Sequence, residues 1–540
     1  MIGSRGRVRL LAGILLAVFA GLAFSSALQE SATWDETHYL GLGRVLLTDP
    51  RWDAPSAILH PPLSYYVHSL PLLLCRLDLS CFDPTASGIR RGRCLLRGSE
   101  PSGDRLLLLA RLPIIGLGVV LGWIVYLWAA ALYGPSGGLL SLFLYCLNPD
   151  LLAHSGLITP DLCLTAFGFL TVYLFWRCLM KPTPVRIALC GLMLGLTLLS
   201  KYAGLIWAPM LALLSLLAVL CPGAGFAKGG QSYLRLRPMS SMVLRPFLVL
   251  GIVAAVGFLV LLAAYRFDLT PYLAGIEAQR AIVGEGRPAF MNGRVSSQGG
   301  WWYFYLYAFA VKEPIPLLLL MLGAALAGKG TRQVPGDVLW LGIPAVVVFA
   351  SFSFLTETNL GIRYVLPAFP FLLVFAGRVS HFWNRKWKAA GIVVPLLMLW
   401  YALESLSVSP HYLAYFNQVA GGPKNGYRHL VDSNLDWGQD LKGLKRYMDR
   451  NGLETIKLSY FGTADPRQYG IEYEALPSFV PLPKRVTRTP LRKGDLVAVS
   501  ATNLYPLYVD LGELGAHLRS ISPVAYMGYS ILIYRLERNL

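Results

Sequence analysis

Long apolar runs constrain this chain more than any other feature of its sequence. A helix that crosses a bilayer needs about 20 consecutive, largely apolar residues, and such runs recur from residue 10 to residue 405. They lie near 10–28, 106–132, 137–153, 162–179, 187–200, 203–221, 246–265, 303–327, 337–354, 364–377 and 389–405. The pattern predicts a polytopic α-helical membrane protein with about 11 transmembrane helices.

The composition argues against a soluble protein. Hydrophobic residues make up 55% of the chain and charged residues only 14%, whereas soluble domains carry about a quarter charged residues. The net charge of +18 comes largely from basic residues in short loops beside apolar runs, where cytoplasmic flanking charges lie. We therefore expect the lipid bilayer as a partner and no nucleic acid.

The same basic loops predict the orientation of the chain. Lysines and arginines cluster at 181–186, 228–245, 329–332 and 378–388, and the positive-inside rule places such loops in the cytoplasm. If these apolar runs crossed the membrane in strict alternation, not all four basic loops would lie in the cytoplasm. We therefore expect at least one short span to be merged or missed. The prediction is a multi-pass protein of the inner (plasma) membrane, with a cytoplasmic N-terminus and an extracytoplasmic C-terminal domain.

Three segments are expected on the outer face. Residues 1–405 form the predicted transmembrane domain, in which 29–105 is a first extracytoplasmic loop and glycine-rich 266–301 is a flexible loop able to order over a ligand. Residues 406–540 are predicted to be an extracytoplasmic α/β domain. Its signals are the strands Ile456–Tyr460, Leu496–Ser500 and Ile531–Tyr534, and a helical stripe at Trp437, Leu441, Leu444 and Met448 that ends at Asn451-Gly452.

Two adjacent acids, Asp35 and Glu36, lie where the chain leaves its first apolar run. With Thr33 as N-cap and Glu36 three residues later, they form the pattern of a capping box. A carboxylate at a rigid helix start near the membrane surface is also well placed to act as a general base. Both interpretations stay open at this point.

Further polar residues lie at predicted outer helix ends. His60 precedes two prolines and belongs either to an interfacial turn or beside the acids. Asp161 follows Thr159-Pro160; it is either a helix-start acid that interacts with the dipole or a functional group, since ionisable residues at membrane depth are costly.

Lys201 and Lys312 interrupt apolar stretches, and Arg363 lies at another predicted outer helix end. Each can snorkel to the interface, and Lys312 can pair with its neighbour Glu313. Together they can instead cradle a lipid phosphate. The acid-rich segment 432–442 is best explained as a helix start rich in capping residues, with an acceptor-binding edge as the alternative.

Cysteines 75, 81 and 94 fall in or beside one polar loop. A disulfide, for instance between Cys81 and Cys94, can form there if the loop faces an oxidising compartment.

Several short motifs follow one another along the chain. They are Trp34-Asp35-Glu36-Thr37-His38-Tyr39, His60-Pro61-Pro62-Leu63, Thr159-Pro160-Asp161, Ser200-Lys201-Tyr202, Gly299-Gly300-Trp301-Trp302-Tyr303, Lys312-Glu313-Pro314 and Gly361-Ile362-Arg363-Tyr364. Their order resembles the C-class membrane glycosyltransferases (GT-C fold), in the branch that holds protein O-mannosyltransferases and the lipid A aminoarabinose transferase. The tail from Tyr415 to Asp440 resembles an uncharacterised bacterial subgroup of that branch.

The resemblance implies a function and roles for these residues. Such enzymes move a sugar from a polyprenyl-phosphate donor to a hydroxyl of a glycan, lipid or protein acceptor, with inversion and with an acid as base. By this resemblance Asp35 is the base, supported by Glu36 and Asp161. The substrate-binding residues are His60, Lys201, Lys312, Arg363 and Tyr364. No cofactor is certain, and Asp35 and Asp161 could hold a divalent cation.

Two other functions share some of these features. A lipid-linked polysaccharide polymerase or ligase would use a related donor and transfer a whole glycan. A transporter or flippase with an outer domain is expected to show two related halves, and no such internal repeat is visible in the sequence.

Overall fold

The computed structural model describes residues 4–48, 52, 56–77, 80, 81, 83, 85–98, 102–221, 239–326, 335–384, 390–482 and 490–540. These residues are mostly helical. The helices are α1 Ser4–Gln29, α2 Trp34–Thr48, α3 Pro62–Ser69, α4 Gly88–Arg97, α5 Gly103–Cys146, α6 Pro149–Ser155, α7 Pro160–Met180, α8 Pro184–Ser200, α9 Trp207–Leu220, α10 Met239–Ala264, α11 Thr270–Gly284, α12 Phe304–Lys312, α13 Ile315–Leu326, α14 Pro335–Phe354, α15 Phe369–Ala376, α16 Ser380–Asn384, α17 Ala390–Ser407, α18 Leu441–Arg450 and α19 Gly512–Ser520.

Six helical segments in the described parts of the chain are long and apolar enough to cross a membrane. They are Gly6–Gln29, Gly103–Cys146, Pro160–Met180, Tyr202–Leu220, Leu244–Ala264 and Gly336–Phe354. The pair α12 and α13, bent by 109°, makes a seventh if it is one span. Shorter apolar helices lie at Pro184–Ser200, Leu366–Phe382 and Gly391–Ser407. The prediction of a multi-pass helical protein is confirmed by length and composition, and the predicted count of about 11 is not.

The longest helix contains a break at the boundary between two predicted apolar runs. Helix α5 extends over 44 residues and joins two predicted runs. At Gly134 the backbone leaves helical geometry, with φ at +82°, a region that glycine enters without a Cβ clash. Pro135 follows and suits the first turn of the next helical stretch. The break therefore lies between the predicted runs 106–132 and 137–153, and α5 consists of two helical stretches, as those runs predict.

Small residues allow the apolar helices to approach closely. An added Cβ at Gly191 on α8 would lie 2.5 Å from the Cβ of Val256 on α10, and one at Gly195 would lie 2.5 Å from that of Val260. Glycines spaced four residues apart on one face are the usual device for tight helix packing in membranes. This packing fixes α8 and hence the position of Lys201 at its end.

A mixed β-sheet follows the last apolar helix. The strands are β3 Ile456–Ser459, β4 Tyr473–Ala475, β5 Leu496–Ser500, β6 Ala525–Met527 and β7 Ile531–Arg535, in the order β4-β3-β5-β7-β6 within the described residues. Strands β4, β3 and β5 run parallel, and β5, β7 and β6 run antiparallel. The three predicted strands are confirmed. The boundary at residue 406 and the outer location of this region stay predictions.

Two local predictions need correction. The predicted stripe from Trp437 to Met448 becomes helical only at Leu441, and Trp437 lies in the turn before it. Residues 266–301 are not simply a loop, because they contain α11 and a hairpin of β1 Ala289–Met291 and β2 Arg294–Ser296.

Helix α4 is tied back to the first loop by a disulfide between Cys81 and Cys94. Cys75 is free.

Candidate functional site

Four of the predicted residues meet in one cluster of alternating charge. The Nη1 atom of Arg363 lies 3.0 Å from Asp35 Oδ2 and 3.3 Å from Asp161 Oδ2. The Nζ atom of Lys201 lies 2.8 Å from the other oxygen of Asp161. The order of charges is therefore Asp35, Arg363, Asp161, Lys201. We refer to these four residues as the ion cluster.

Exposure differs sharply within the ion cluster. The side chain of Asp35 is 26% exposed, whereas that of Asp161 is 1% exposed. The side chains of Arg363 and Lys201 are 9% and 10% exposed. Asp35 is thus the most exposed member of the ion cluster.

Element ends bring the ion cluster together. Asp35 lies in the first turn of α2, and Asp161 lies in the first turn of α7 directly after Pro160. The positive end of a helix dipole favours a carboxylate at both positions. Lys201 caps the C-terminal end of α8, and Arg363 lies in a short 3-10 turn, Ile362–Tyr364.

Aromatic rings hold both cations in place. The Nζ atom of Lys201 lies 4.2 Å from the ring centroid of Tyr364. The guanidinium of Arg363 lies 5.2 Å from the same ring and 4.3 Å from that of Trp437. Cation–π contacts of this kind contribute about 0.5–2 kcal/mol each. Tyr364, predicted to bind substrate, contacts the two cations in this structure.

The segment after the last apolar helix completes the site. Ser433 Oγ accepts a hydrogen bond from Arg363 Nε at 3.2 Å, and Asn434 Oδ1 accepts one from the backbone N–H of Ile362 at 2.9 Å. The sequence places Ser433 and Trp437 in the acid-rich segment 432–442 but does not link them to Arg363, because Arg363 lies about 70 residues earlier and no local spacing connects the two segments.

The first loop docks directly on this segment. The backbone N–H of Ser31 donates to Gln439 O at 2.8 Å, and that of Trp34 donates to Trp437 O at 2.8 Å. Further along, Arg97 pairs with Asp465 at 3.1 Å. The position of Asp35, one residue after Trp34, therefore depends on residues more than 400 positions away.

Glu36 has a structural environment and lies apart from the ion cluster. Its Oε2 accepts the backbone N–H of Thr33 at 2.9 Å, as in a capping box, and its Oε1 accepts that of Ile158 at 3.0 Å. The guanidinium of Arg111 donates to both oxygens, at 2.8 and 2.6 Å. Burial opposes ionisation, but Arg111 outweighs it and holds the pKa of Glu36 below its usual range. With no exposed surface, Glu36 does not fit the catalytic role predicted for it.

Lys312 is likewise enclosed by its own chain. Its ammonium donates to the carbonyls of Leu413, Tyr415 and Asn434 at 2.9, 3.2 and 2.8 Å. Its acidic partner is Asp150 at 3.3 Å, and the carboxylate of Glu313 instead accepts from Asn148. Lys312 is fully buried, so the predicted role in substrate binding does not fit this geometry.

His60 lies beside the ion cluster as an uncharged group. Its ring stacks on Tyr39 with centroids 5.8 Å apart. Burial, together with the positive charge of Lys201, lowers the pKa of His60 to about 3. His60 therefore adds hydrogen-bonding capacity and no positive charge at neutral pH.

The divalent-cation hypothesis stays a prediction. Among the described residues no group of three or more His, Cys, Asp or Glu side chains is arranged to hold a metal ion. The oxygens of Asp35 and Asp161 that face one another share the Nη1 atom of Arg363.

One protein family matches part of the chain. Residues 103–222 match the family described as dolichyl-phosphate-mannose-protein mannosyltransferase. The predicted resemblance is confirmed for this stretch, about a fifth of the chain. The stretch includes Arg111, Asp161 and Lys201, and it excludes Asp35 and Arg363. No curated protein matches the sequence significantly.

Solved structures with a similar chain course include two of ArnT from Cupriavidus metallidurans, one bound to undecaprenyl phosphate and one in the apo state. They are 14% identical, cover 98% of this chain and 98% of their own, and give TM-scores of 0.48 and 0.47. The oligosaccharyltransferase of Archaeoglobus fulgidus, in complex with Zn and sulfate, is 14% identical and covers 86% of this chain and 62% of its own, with a TM-score of 0.42. Likeness at this level says nothing about the substrates of this chain.

Proposed function

We propose that this chain is an integral membrane glycosyltransferase that moves a sugar from a polyprenyl-phosphate donor to a hydroxyl acceptor. The observation that carries the proposal is the ion cluster, in which a partly exposed carboxylate, Asp35, pairs with Arg363. Through Asp161 the same cluster holds a second cation, Lys201. A base for the acceptor and positive charge for a leaving phosphate are the two requirements of this reaction.

The family match supports the donor class. The description of the matching family names a lipid-phosphate sugar, dolichyl-phosphate-mannose, and the matched stretch holds Asp161 and Lys201. We propose a polyprenyl-phosphate-linked hexose or pentose as the donor, without choosing the sugar.

The proposed chemistry is a single displacement. The acceptor hydroxyl gives its proton to Asp35 while its oxygen bonds to the anomeric carbon. The bond between that carbon and the phosphate oxygen breaks, and the electron pair leaves with the lipid phosphate, so the anomeric configuration inverts. Lys201 and Arg363 stabilise the charge that develops on the phosphate. A positioned base contributes about 10²–10⁴-fold to such a step.

The remaining predicted residues take supporting roles in this proposal. Asp161 fixes the positions of Arg363 and Lys201 by its two oxygens, and the aromatic ring of Tyr364 contacts both cations. His60 offers a neutral hydrogen-bonding group at the edge of the site. Glu36 and Lys312 hold the chain segments that carry the ion cluster.

The topology and the acceptor complete the proposal. We propose an inner-membrane protein with a cytoplasmic N-terminus, a transmembrane domain over 1–405 and an extracytoplasmic domain over 406–540. The ion cluster then faces the outer side of the membrane. The acceptor is a glycan, lipid or protein that reaches Asp35 from that side.

The decisive experiment uses vesicles that contain the full chain and a polyprenyl-phosphate sugar. Asp35→Asn is expected to abolish glycosyl transfer while expression and thermal stability stay unchanged, because Asp35 is partly exposed. Asp449→Asn removes an exposed acid of α18 and serves as the matched control with full transfer. Turnover by Asp35→Asn at the wild-type rate would overturn the assignment of the base, and an inactive wild type with every polyprenyl-phosphate sugar would overturn the proposed function.

A further inference from the structure

The ion cluster has no net positive charge that could neutralise a bound phosphate. Its two acids and two cations balance to zero. The next charged group is Asp432, whose carboxylate accepts from Tyr508 at 2.8 Å, and His60 is neutral. A buried anion without a partner is strongly disfavoured. A phosphate that binds Arg363 therefore competes with the acids already paired with that guanidinium.

We infer that the donor phosphate replaces Asp35 on Arg363, so that donor binding itself frees the base. The inference rests on the proposed function and adds an order of events to it. In the structure Arg363 neutralises Asp35, and in the loaded site the same guanidinium faces the phosphate.

The contacts of the two acids indicate which one separates from Arg363 when phosphate binds. Asp161 is held by Lys201 at 2.8 Å and by Arg363 at 3.3 Å, and it is almost fully buried. Asp35 has Arg363 as its one ion-pair partner among the described residues, and its side chain is 26% exposed. Water can solvate a released Asp35, whereas a released Asp161 would be left in an apolar surrounding.

The chemistry of the Arg363 guanidinium also favours the exchange of Asp35 for phosphate. A guanidinium binds phosphate oxygens through two parallel N–H donors. Arg363 keeps its orientation during the exchange, because Ser433 accepts from its Nε and the Trp437 ring lies against its face. The oxygens of Asp35, no longer shared with a cation, can then accept the hydroxyl proton of the acceptor. The donor must bind before the acceptor is activated.

The test measures binding of undecaprenyl phosphate to the full chain in nanodiscs. If Asp35 competes with phosphate, Asp35→Asn binds this probe more tightly than wild type, by about fivefold to tenfold, although it transfers no sugar. Asp35→Glu keeps the charge and Asp449→Asn removes a distant one, so both are expected to bind as wild type does. Undecaprenol, which lacks the phosphate, is expected to bind all four proteins equally.

The outcomes separate the two proposals. Equal or weaker binding of undecaprenyl phosphate by Asp35→Asn, with wild type binding normally, overturns the exchange and leaves the proposed function standing. A gain shared by undecaprenol also overturns it, because the effect then comes from the lipid chain. No phosphate-dependent binding by any of the four proteins counts against the proposed function itself.

Discussion

The guanidinium of Arg363 lies 4.3 Å from the ring centroid of Trp437. The carbonyl of Trp437 also accepts the backbone N–H of Trp34, directly before Asp35. One residue of the C-terminal segment thus contacts Arg363 by its ring and positions the chain beside Asp35 by its main-chain carbonyl. Trp437 is therefore a positioning residue for both halves of the Asp35–Arg363 pair.

Replacing Trp437 tests this positioning role. Trp437→Leu removes a cation–π contact of about 0.5–2 kcal/mol, so we expect a roughly 2- to 30-fold higher KM for the proposed lipid-phosphate donor. Trp437→Phe keeps a ring and is expected to recover part of the loss. Donor-titrated transfer rates measure both. If the two variants lose thermal stability alike and keep the wild-type KM, Trp437 only fills space.

The pair of Glu36 and Arg111 predicts a pH dependence of stability. The folded-state pKa of Glu36 is lowered, so its contribution is present above the unfolded pKa of about 4.3 and is lost as pH falls below that value. Removing one partner of a buried ion pair costs about 3–5 kcal/mol. Glu36→Gln should therefore lower the melting temperature at pH 7 and reduce its acid dependence.

A matched variant makes the Glu36 experiment specific. Glu36→Gln combined with Arg111→Met removes both charges, and we expect it to be more stable than Glu36→Gln alone, because no unpaired guanidinium stays buried. Melting curves of detergent-solubilised protein across about pH 2 to 7, a range that includes the loss below the unfolded pKa, give the comparison. A single variant as stable as wild type at pH 7 would contradict the structural role.

The Cys81–Cys94 disulfide predicts the side of the membrane on which the first loop lies. Disulfides persist in oxidising compartments, so in a variant that keeps only these two cysteines, a membrane-impermeant maleimide should label intact cells only after an impermeant reductant is added. Labelling that needs permeabilisation but no reductant would place the loop in the cytoplasm. Cys81→Ser with Cys94→Ser should destabilise the chain by about 2–4 kcal/mol.

Local patterns predicted the parts of the site that depend on helix ends. Asp35, Asp161, Lys201 and Arg363 each stand where an apolar run begins or stops, so their shared depth follows from the sequence, and the structure brings them together. The spacing of Thr33 and Glu36 predicted a capping box, and the bond from the Thr33 backbone N–H to Glu36 confirms one half of it. The Thr33 hydroxyl, which would make the other half, has no hydrogen-bond partner among the described residues.

Long-range pairing explains what the sequence could not predict. Glu36 binds Arg111, which is hidden within the apolar sequence of α5, and Lys312 binds Asp150 rather than the adjacent Glu313. In both cases helix packing determines the ion-pair partner, and the hydrophobic periodicity of the sequence does not reveal how the helices pack. The same holds for Trp437, whose helical spacing suggested an α18 core position although it lies against Arg363.

The contacts of Lys312 bear on how the protein is made. Its acidic partner, Asp150, precedes it in the chain, but one of its carbonyl partners, Asn434, is synthesised 122 residues later. Until the ribosome has passed that point, an ammonium at the bend of α12 and α13 lacks most of its ligands, which is costly at membrane depth. Assembly of the helical core is therefore completed from the C-terminal side, and a chain released before residue 434 should be recognised and degraded as unfinished.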